Sequence, residues 1–372
     1  MKIKDFGVEI WMNLYENNCK YNLAETCVES IKVGELLDMA GIKDSFYDEL
    51  LEMKLTYGDI EGSVALRNEI CKLYKTVKPE NISVTHGAIG ANALSIMTLV
   101  EPGDRVISVL PTYQQHYSIP ESIGAEVKIL PLKFENEFLP DLEELKKLVN
   151  DNTKLICINN PNNPSGSVMD EKMLKEIVEI AKRVDAYVIC DEAYRGLTHE
   201  GDSFTTSIAD LYEKGISTAS MSKTFSMAGI RLGWIAGPEE LIKRINTQRD
   251  YHVISVGMID DRLATIALQN KEKILERNLK IVRENAKLLD DWVKNEPLIT
   301  YVKPKGGTTA FLKYDIDMPS EELCLKLLKE TGVMLLPGSA LDTEGFLRIG
   351  YCNGFEVEKA GMEKMTEFFK QF

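Results

Sequence analysis

The chain predicts an α/β fold: a large domain with a mostly parallel seven-stranded sheet between helices, plus a smaller α+β domain built from the two termini. Three observations carry this. From about Asn81 to Pro238 short β-branched runs alternate with turn residues and amphipathic stretches, the pattern of repeated strand–helix units. Lys271 to Lys294 then runs about two dozen residues at helical spacing without Gly or Pro, long enough to act as a strut between domains. With 372 residues the chain also exceeds one ordinary core.

In order, the expected strands of the large sheet are Ile82 to Thr85, Arg105 to Leu110, Glu126 to Leu130, Lys154 to Ile158, Ala186 to Cys190, Gly215 to Ala219 and Leu232 to Ala236. Only about a dozen residues separate the last two, which is tight for a helical crossover, so one member is expected to run antiparallel. Apolar spacing predicts helices over Asp141 to Val149 and Glu171 to Arg183. After the long helix come an apolar stretch from Tyr301 to Tyr314 broken by Gly306 and Gly307, a helix from Ser320 to Glu330, and strands over Val333 to Gly338 and Phe346 to Tyr351. The expected division is 1–40 with the small domain, 41–270 as the large domain, and 271–372 as linker helix and C-terminal small domain.

Apolar residues at 44% and charged residues at 27% describe a globular chain, and a formal charge of −14 disfavours nucleic acid or anionic membrane as partner. The seven cysteines are scattered, with no CxxC pair to suggest zinc or redox chemistry, so no metal site is expected. Free thiols fit a cytoplasmic location. Met1 to Asn13 holds Lys2, Lys4, Asp5 and Glu9 and offers no apolar signal core.

Open α/β sheets bind ligands beyond the carboxyl ends of their strands, and polar residues gather at those ends here. The Ile82 strand leads into His86-Gly87-Ala88-Ile89-Gly90 and an apolar helix, a turn suited to a phosphate. A Gly before a helix is, taken alone, more often plain turn chemistry. Pro111-Thr112-Tyr113 places an aromatic after the second strand, and Asn159-Asn160-Pro161-Asn162-Asn163-Pro164 follows the fourth, its prolines stiffening the amides between them. Asp191-Glu192-Ala193-Tyr194 ends an apolar strand with a carboxylate, which either caps a helix or meets a positive partner. Ser220-Met221-Ser222-Lys223 ends the Gly215 strand, with Arg231 eight residues on, able to fork onto a phosphate. His86 and His116 read as packing.

Together these elements, with Gly229-Ile230-Arg231, resemble the class I/II pyridoxal-phosphate aminotransferases of fold type I, over about Tyr57 to Arg348. The resemblance implies pyridoxal 5'-phosphate held as a Schiff base on Lys223, which also shuttles the substrate proton. It implies Asp191 on the pyridine nitrogen, Asn163 and Tyr194 on the 3-hydroxyl, and Tyr113 stacked on the ring. Ser220, Ser222, Arg231 and the Gly87-Ala88-Ile89 amides would hold the phosphate. Arg348, in Phe346-Leu347-Arg348-Ile349-Gly350, matches the arginine that grips the α-carboxylate, beside Asn163. Tyr57 matches a tyrosine that reaches a partner's cofactor phosphate, which implies a homodimer with composite sites. The implied partners are an amino acid and a 2-keto acid.

Two segments depart from the family. Tyr21 to Ser30 replaces the Gly-x-Pro signature that helps cover the substrate and resembles the branch containing capreomycidine synthase, a cyclase acting on an arginine derivative. Thr308 and Thr309 stand where relatives often place an aromatic, implying a more polar or open pocket. The expected activity is amino transfer. Elimination, replacement or cyclisation with the same cofactor, or a catalytically retired cofactor-binding protein, are the alternatives, since loss of the α-proton is common to all these reactions.

Overall fold

The computed structural model describes residues 2–372. Its seven-stranded sheet has the order Ile82–Thr85, Gly233–Ala236, Gly215–Ser220, Tyr187–Asp191, Thr153–Asn159, Arg105–Leu110, Glu126–Pro131. Gly233–Ala236 runs antiparallel to both neighbours and every other pairing is parallel, as the short connection before it requires. Gly215–Ser220 is buried at every position, and its Ser217 and Thr218 hydroxyls are satisfied by donating to Glu192 and Asn92. Glu126–Pro131 alternates charged and apolar residues and is largely uncovered, the composition of a sheet edge that resists further pairing.

The helices Leu142–Leu148, Glu171–Arg183 and Lys271–Lys294 form where the spacing predicts them. Asp141 and Asp170 start the first two by accepting backbone N–H bonds in the first turn. One expected strand divides: Val333–Met334 pairs with Tyr21–Asn22, whereas Leu336–Pro337 joins an antiparallel sheet of order Leu336–Pro337, Phe346–Gly350, Thr309–Tyr314, Ile299–Tyr301. The chain changes sheets at Leu335, which no apolar pattern could signal because all these positions are buried.

The two ends of the chain are stitched together. Gly350 N donates to Leu23 O at 2.7 Å, Glu29 N donates to Cys352 O at 2.9 Å, and the Trp11 indole donates to Leu335 O at 2.9 Å. Beyond Ile31, whose N–H bonds Ser226 O, the chain crosses to the other lobe, where Leu36 and Leu37 pack with Leu66, Ile82 and Trp234.

Candidate active site

Four parallel strands and one helix N-terminus converge on a cavity of about 490 Å³. Asp191 is the last residue of Tyr187–Asp191 and is buried. Its Oδ1 accepts from Ala193 N at 3.0 Å and its Oδ2 from Asn92 Nδ2 at 2.8 Å; Asn92 is oriented in turn by the Thr218 hydroxyl at 2.6 Å. His116 Nε2 lies 4.0 Å from the same Oδ2, has no hydrogen-bond partner, and burial lowers its pKa despite the neighbouring carboxylate.

Lys223 follows Gly215–Ser220 in a loop closed by Met221 N to Leu232 O and Met227 N to Met221 O, both 3.0 Å. Its Nζ donates to Thr26 Oγ1 at 2.6 Å and meets Cys27 Sγ at 3.1 Å. Burial works to lower the ammonium's pKa, but Cys27, Tyr194 and Glu25 outweigh it and the net shift is upward. Burial raises the Cys27 and Tyr194 groups themselves, so Glu25 is the charged neighbour at neutral pH. Burial also opposes ionisation of Glu25, yet Lys223 and the N–H groups of Cys27 and Thr26 hold its carboxyl below the usual range.

Helix Gly87–Leu99 starts with no capping side chain, so its first-turn N–H groups carry the positive end of the helix dipole unneutralised. Gly87 has φ +67°, a left-handed conformation, and a Cβ there would stand 3.1 Å from Arg231 Nη2. From behind, Gly233 presses on this turn: its own Cβ would fall 2.3 Å from Gly87 C and 2.7 Å from Ala88 N. Arg231 bonds only the Ala228 carbonyl, at 2.9 Å, and enters no ion pair among the described residues.

On the far wall Arg348 is buried, with Nη2 on Ala24 O at 2.9 Å, Nη1 on Asn163 Oδ1 at 3.2 Å, and Nε unpartnered. Burial lowers its pKa. Asn163 is fixed through its backbone N–H to Asn159 Oδ1 at 2.7 Å, and Asn159 Nδ2 reaches the Asp191 carbonyl at 2.8 Å. The Asn-Pro run is thus tied to the strand that delivers Asp191. Because Arg348 occupies the Asn163 amide oxygen, its Nδ2 remains available as a donor.

Of the residues singled out in the sequence, Lys223, Asp191, Tyr194, Asn163, Tyr113 and Arg348 line this one cavity. So do Ala88, Ile89, Ser220, Ser222 and Arg231. Gly87 stands behind the lining. Tyr57 does not face the cavity and is 72% exposed. Thr308 and Thr309 do not open the pocket as expected: both are buried away from it, and the Thr308 hydroxyl instead supports the Thr26 carbonyl at 2.8 Å. Sequence reasoning missed Asn92, although an Asn within the apolar stretch Ala88 to Leu99 was the available signal. It also missed Glu9 and Glu16, whereas Glu25, Thr26 and Cys27, which line the cavity too, fall within the Tyr21 to Ser30 segment expected to help cover the substrate, though none was singled out there.

The sequence profile of aminotransferase class I and II matches residues 9–360. The chain belongs to this family. Members of this family are pyridoxal-phosphate-dependent enzymes, and this chain is one of them. It is 32% identical to an aspartate aminotransferase of Pyrococcus horikoshii, over 88% of this chain and 86% of that one. It is 28% identical to a capreomycidine synthase of Streptomyces vinaceus, over 97% and 92%. The crystal structure of a PLP-dependent aminotransferase from Streptococcus suis superposes with a TM-score of 0.97 at 46% identity, covering 100% of this chain and 99% of that one.

The cavity suits the cofactor on its own chemistry. A buried carboxylate whose one ion-pair neighbour among the described residues is His116, kept neutral by burial, fits a protonated pyridine nitrogen, and an uncapped helix start beside an Arg231 guanidinium without an ion pair among those residues fits a phosphate.

Proposed function

We propose that the protein is an aminotransferase that moves an amino group between a small amino acid and a 2-keto acid. The observation that carries the reading is that the Lys223 amine, the Asp191 carboxylate and the Arg348 guanidinium all face one cavity. When bound, pyridoxal phosphate supplies an electron sink for the bond broken at the substrate α-carbon. Asp191, kept rigid by Asn92 and Ala193, holds a proton on the pyridine nitrogen. Ser220, Ser222, Arg231 and the amides of Gly87, Ala88 and Ile89 would hold the cofactor's phosphate, Tyr113 would pack against its ring, and Asn163 and Tyr194 would donate to the ring oxygen. Arg348 binds the α-carboxylate in a forked pair and so presents the α-hydrogen to Lys223, which takes it and returns it as general base and acid.

The exposed apolar residues Tyr47, Leu51, Leu55, Tyr57 and Ile60 form the surface through which two copies associate, Tyr57 reaching the partner's phosphate. A cytoplasmic enzyme fits the free cysteines and a chain in which no described helix is long and apolar enough to cross a membrane.

A second reading, cyclisation or elimination with the same cofactor, is favoured by the Glu25-Thr26-Cys27 segment laid against Lys223 and by the relative named capreomycidine synthase. Mere cofactor storage is disfavoured, because it needs no buried Arg348 with an open valence. The test is to mix purified protein with single amino acids while recording the cofactor spectrum and assaying products. Conversion to the amine form, reversed by a 2-keto acid, supports amino transfer; ammonia with a keto acid means elimination. A cyclic product means cyclisation, and no spectral response to any amino acid means storage.

A further inference from the structure

The cavity holds more carboxylates than the chemistry proposed above consumes. Its cations have assignments: Lys223 to the cofactor, Arg231 to the phosphate and Arg348 to the α-carboxylate. Of its four carboxylates only Asp191 has a task, which leaves Glu9, Glu16 and Glu25.

Two of these sit on a surface aimed at the cavity by helical geometry. Val8, Glu9, Met12, Asn13 and Glu16 all line it, and they fall at intervals of one, three, one and three residues, one face of the Gly7–Tyr15 helix and the turn that follows. That helix is locked over the site: Gly7 N donates to Gln114 Oε1 at 2.9 Å, Gln114 Nε2 donates to Asp5 O at 2.7 Å, and Phe6 packs on Tyr113 at 4.8 Å between ring centres. Neither glutamate enters an ion pair among the described residues. Glu9 spends one oxygen on the Tyr113 hydroxyl, at 2.7 Å, and Glu16 has no side-chain hydrogen bond there at all. Glu25 is different, since its Oε1 is tied to the Thr26 and Cys27 N–H groups at 2.7 and 2.8 Å, which makes it a local brace beside Lys223.

The unpartnered Nε of buried Arg348 is an independent sign of where the ligand's α-carboxylate goes. With that end fixed, a substrate side chain lies in the rest of the same cavity, where the roof helix and the turn after it offer Glu9 and Glu16 and no basic group. A second carboxylate on the substrate would meet like charge there, whereas an ammonium or guanidinium would complete the two glutamates.

We infer that the substrate is an amino acid with a cationic side chain, of the ornithine, lysine or arginine type, selected by Glu9 and Glu16 on the N-terminal helix. The inference rests on the cofactor-and-carboxylate reading of the preceding section and adds only the nature of the side chain.

Equilibrium titration of the cofactor-loaded protein, followed by absorbance and by calorimetry, tests it with L-ornithine, L-lysine and L-arginine against the uncharged L-norleucine and the acidic L-glutamate. The best cationic ligand is expected to bind at least about tenfold tighter than norleucine, glutamate weakest, with the preference shrinking as salt is raised. In E9Q/E16Q the ratio of norleucine to cationic-ligand dissociation constants should fall to about one. E16Q alone, which breaks no contact of the folded protein, should lower that ratio by roughly threefold or more. Norleucine or glutamate binding as tightly as every cationic ligand would overturn the inference, as would an unchanged ratio in both E16Q and the double variant. These results are separable from failure of the underlying reading, which shows instead as no lysine-dependent cofactor band and no binding of any amino acid.

Discussion

Replacing Gly233 by alanine tests whether the 87–89 turn holds the cofactor phosphate, without substituting any residue of the cavity wall. The added methyl would lie 2.3 Å from Gly87 C, 2.7 Å from Ala88 N and 2.7 Å from Ala219 O. Ordinary carbon contacts begin near 3.4 Å, so the turn must retreat by about 1 Å or the Gly233–Ala236 strand must shift by as much. Such overpacking costs about 1–3 kcal/mol of stability. A retreat of that size stretches the charge-assisted N–H contacts to the phosphate, and losing the equivalent of one or two at about 1.5–3 kcal/mol each weakens cofactor affinity by roughly 10- to 10,000-fold. Gly229→Ala is the control: it lies in the same loop as Arg231 with nothing within 4 Å of the new methyl, and should change neither quantity. The assay is titration of cofactor-free protein with pyridoxal phosphate, alongside urea unfolding. If G233A lost stability yet bound the cofactor as tightly as the parent, the turn would not carry the phosphate.

Lys223→Ala should abolish the absorbance band of lysine-linked cofactor while leaving measurable affinity for pyridoxal phosphate, read by dialysis. Asn92→Ala removes one of two hydrogen bonds to a buried carboxylate and strands the Thr218 hydroxyl; a loss of about 1–3 kcal/mol on denaturation is expected, with a slower proton-transfer step measured by exchange of the substrate α-hydrogen. Leu55→Glu, at a position 85% exposed beside Tyr57, should shift the sedimentation velocity profile from dimer to monomer; a monomeric parent protein would refute the association surface. Glu358, fully buried with both its Asn353 bonds on one oxygen, has its pKa raised from 4.5 to about 7 by burial. A carboxyl that stays protonated in the native state but ionises on unfolding favours folding below pH 4.5, and that contribution is lost as pH rises to about 7, amounting to about 3 kcal/mol. E358Q, which cannot ionise, should therefore gain on the parent protein by about that amount between pH 4.5 and pH 8, and a flat difference in unfolding free energy would refute it.

The sheet was legible in the sequence because its strands are continuous apolar runs ended by turn residues, and the residues at those ends are chemically distinctive. Lys223, Asp191 and Asn163 could be singled out without coordinates for that reason, whereas Arg348, in the middle of its strand, was reached only through the family resemblance. Asn92 was hidden because the residue it serves is far along the chain, and a single buried amide within a helix looks like tolerated polarity. The roof was hidden by a different cause. Val8, Glu9 and Met12 form an ordinary amphipathic pattern, and only the fold reveals that its polar side turns inward to a cavity rather than outward to water. The threonine pair misled because composition shows what replaces an aromatic ring but not which way the replacement points.

The bonds joining Leu23 to Gly350 and Glu29 to Cys352 have a consequence for biosynthesis. The stretch around Leu23 is synthesised more than 300 residues before its partner around Gly350, and contacts so distant along the chain form late. The large lobe can therefore fold with the cavity still uncovered, and a product cut short before residue 350 would keep its N-terminal roof but lack the strand that holds it down.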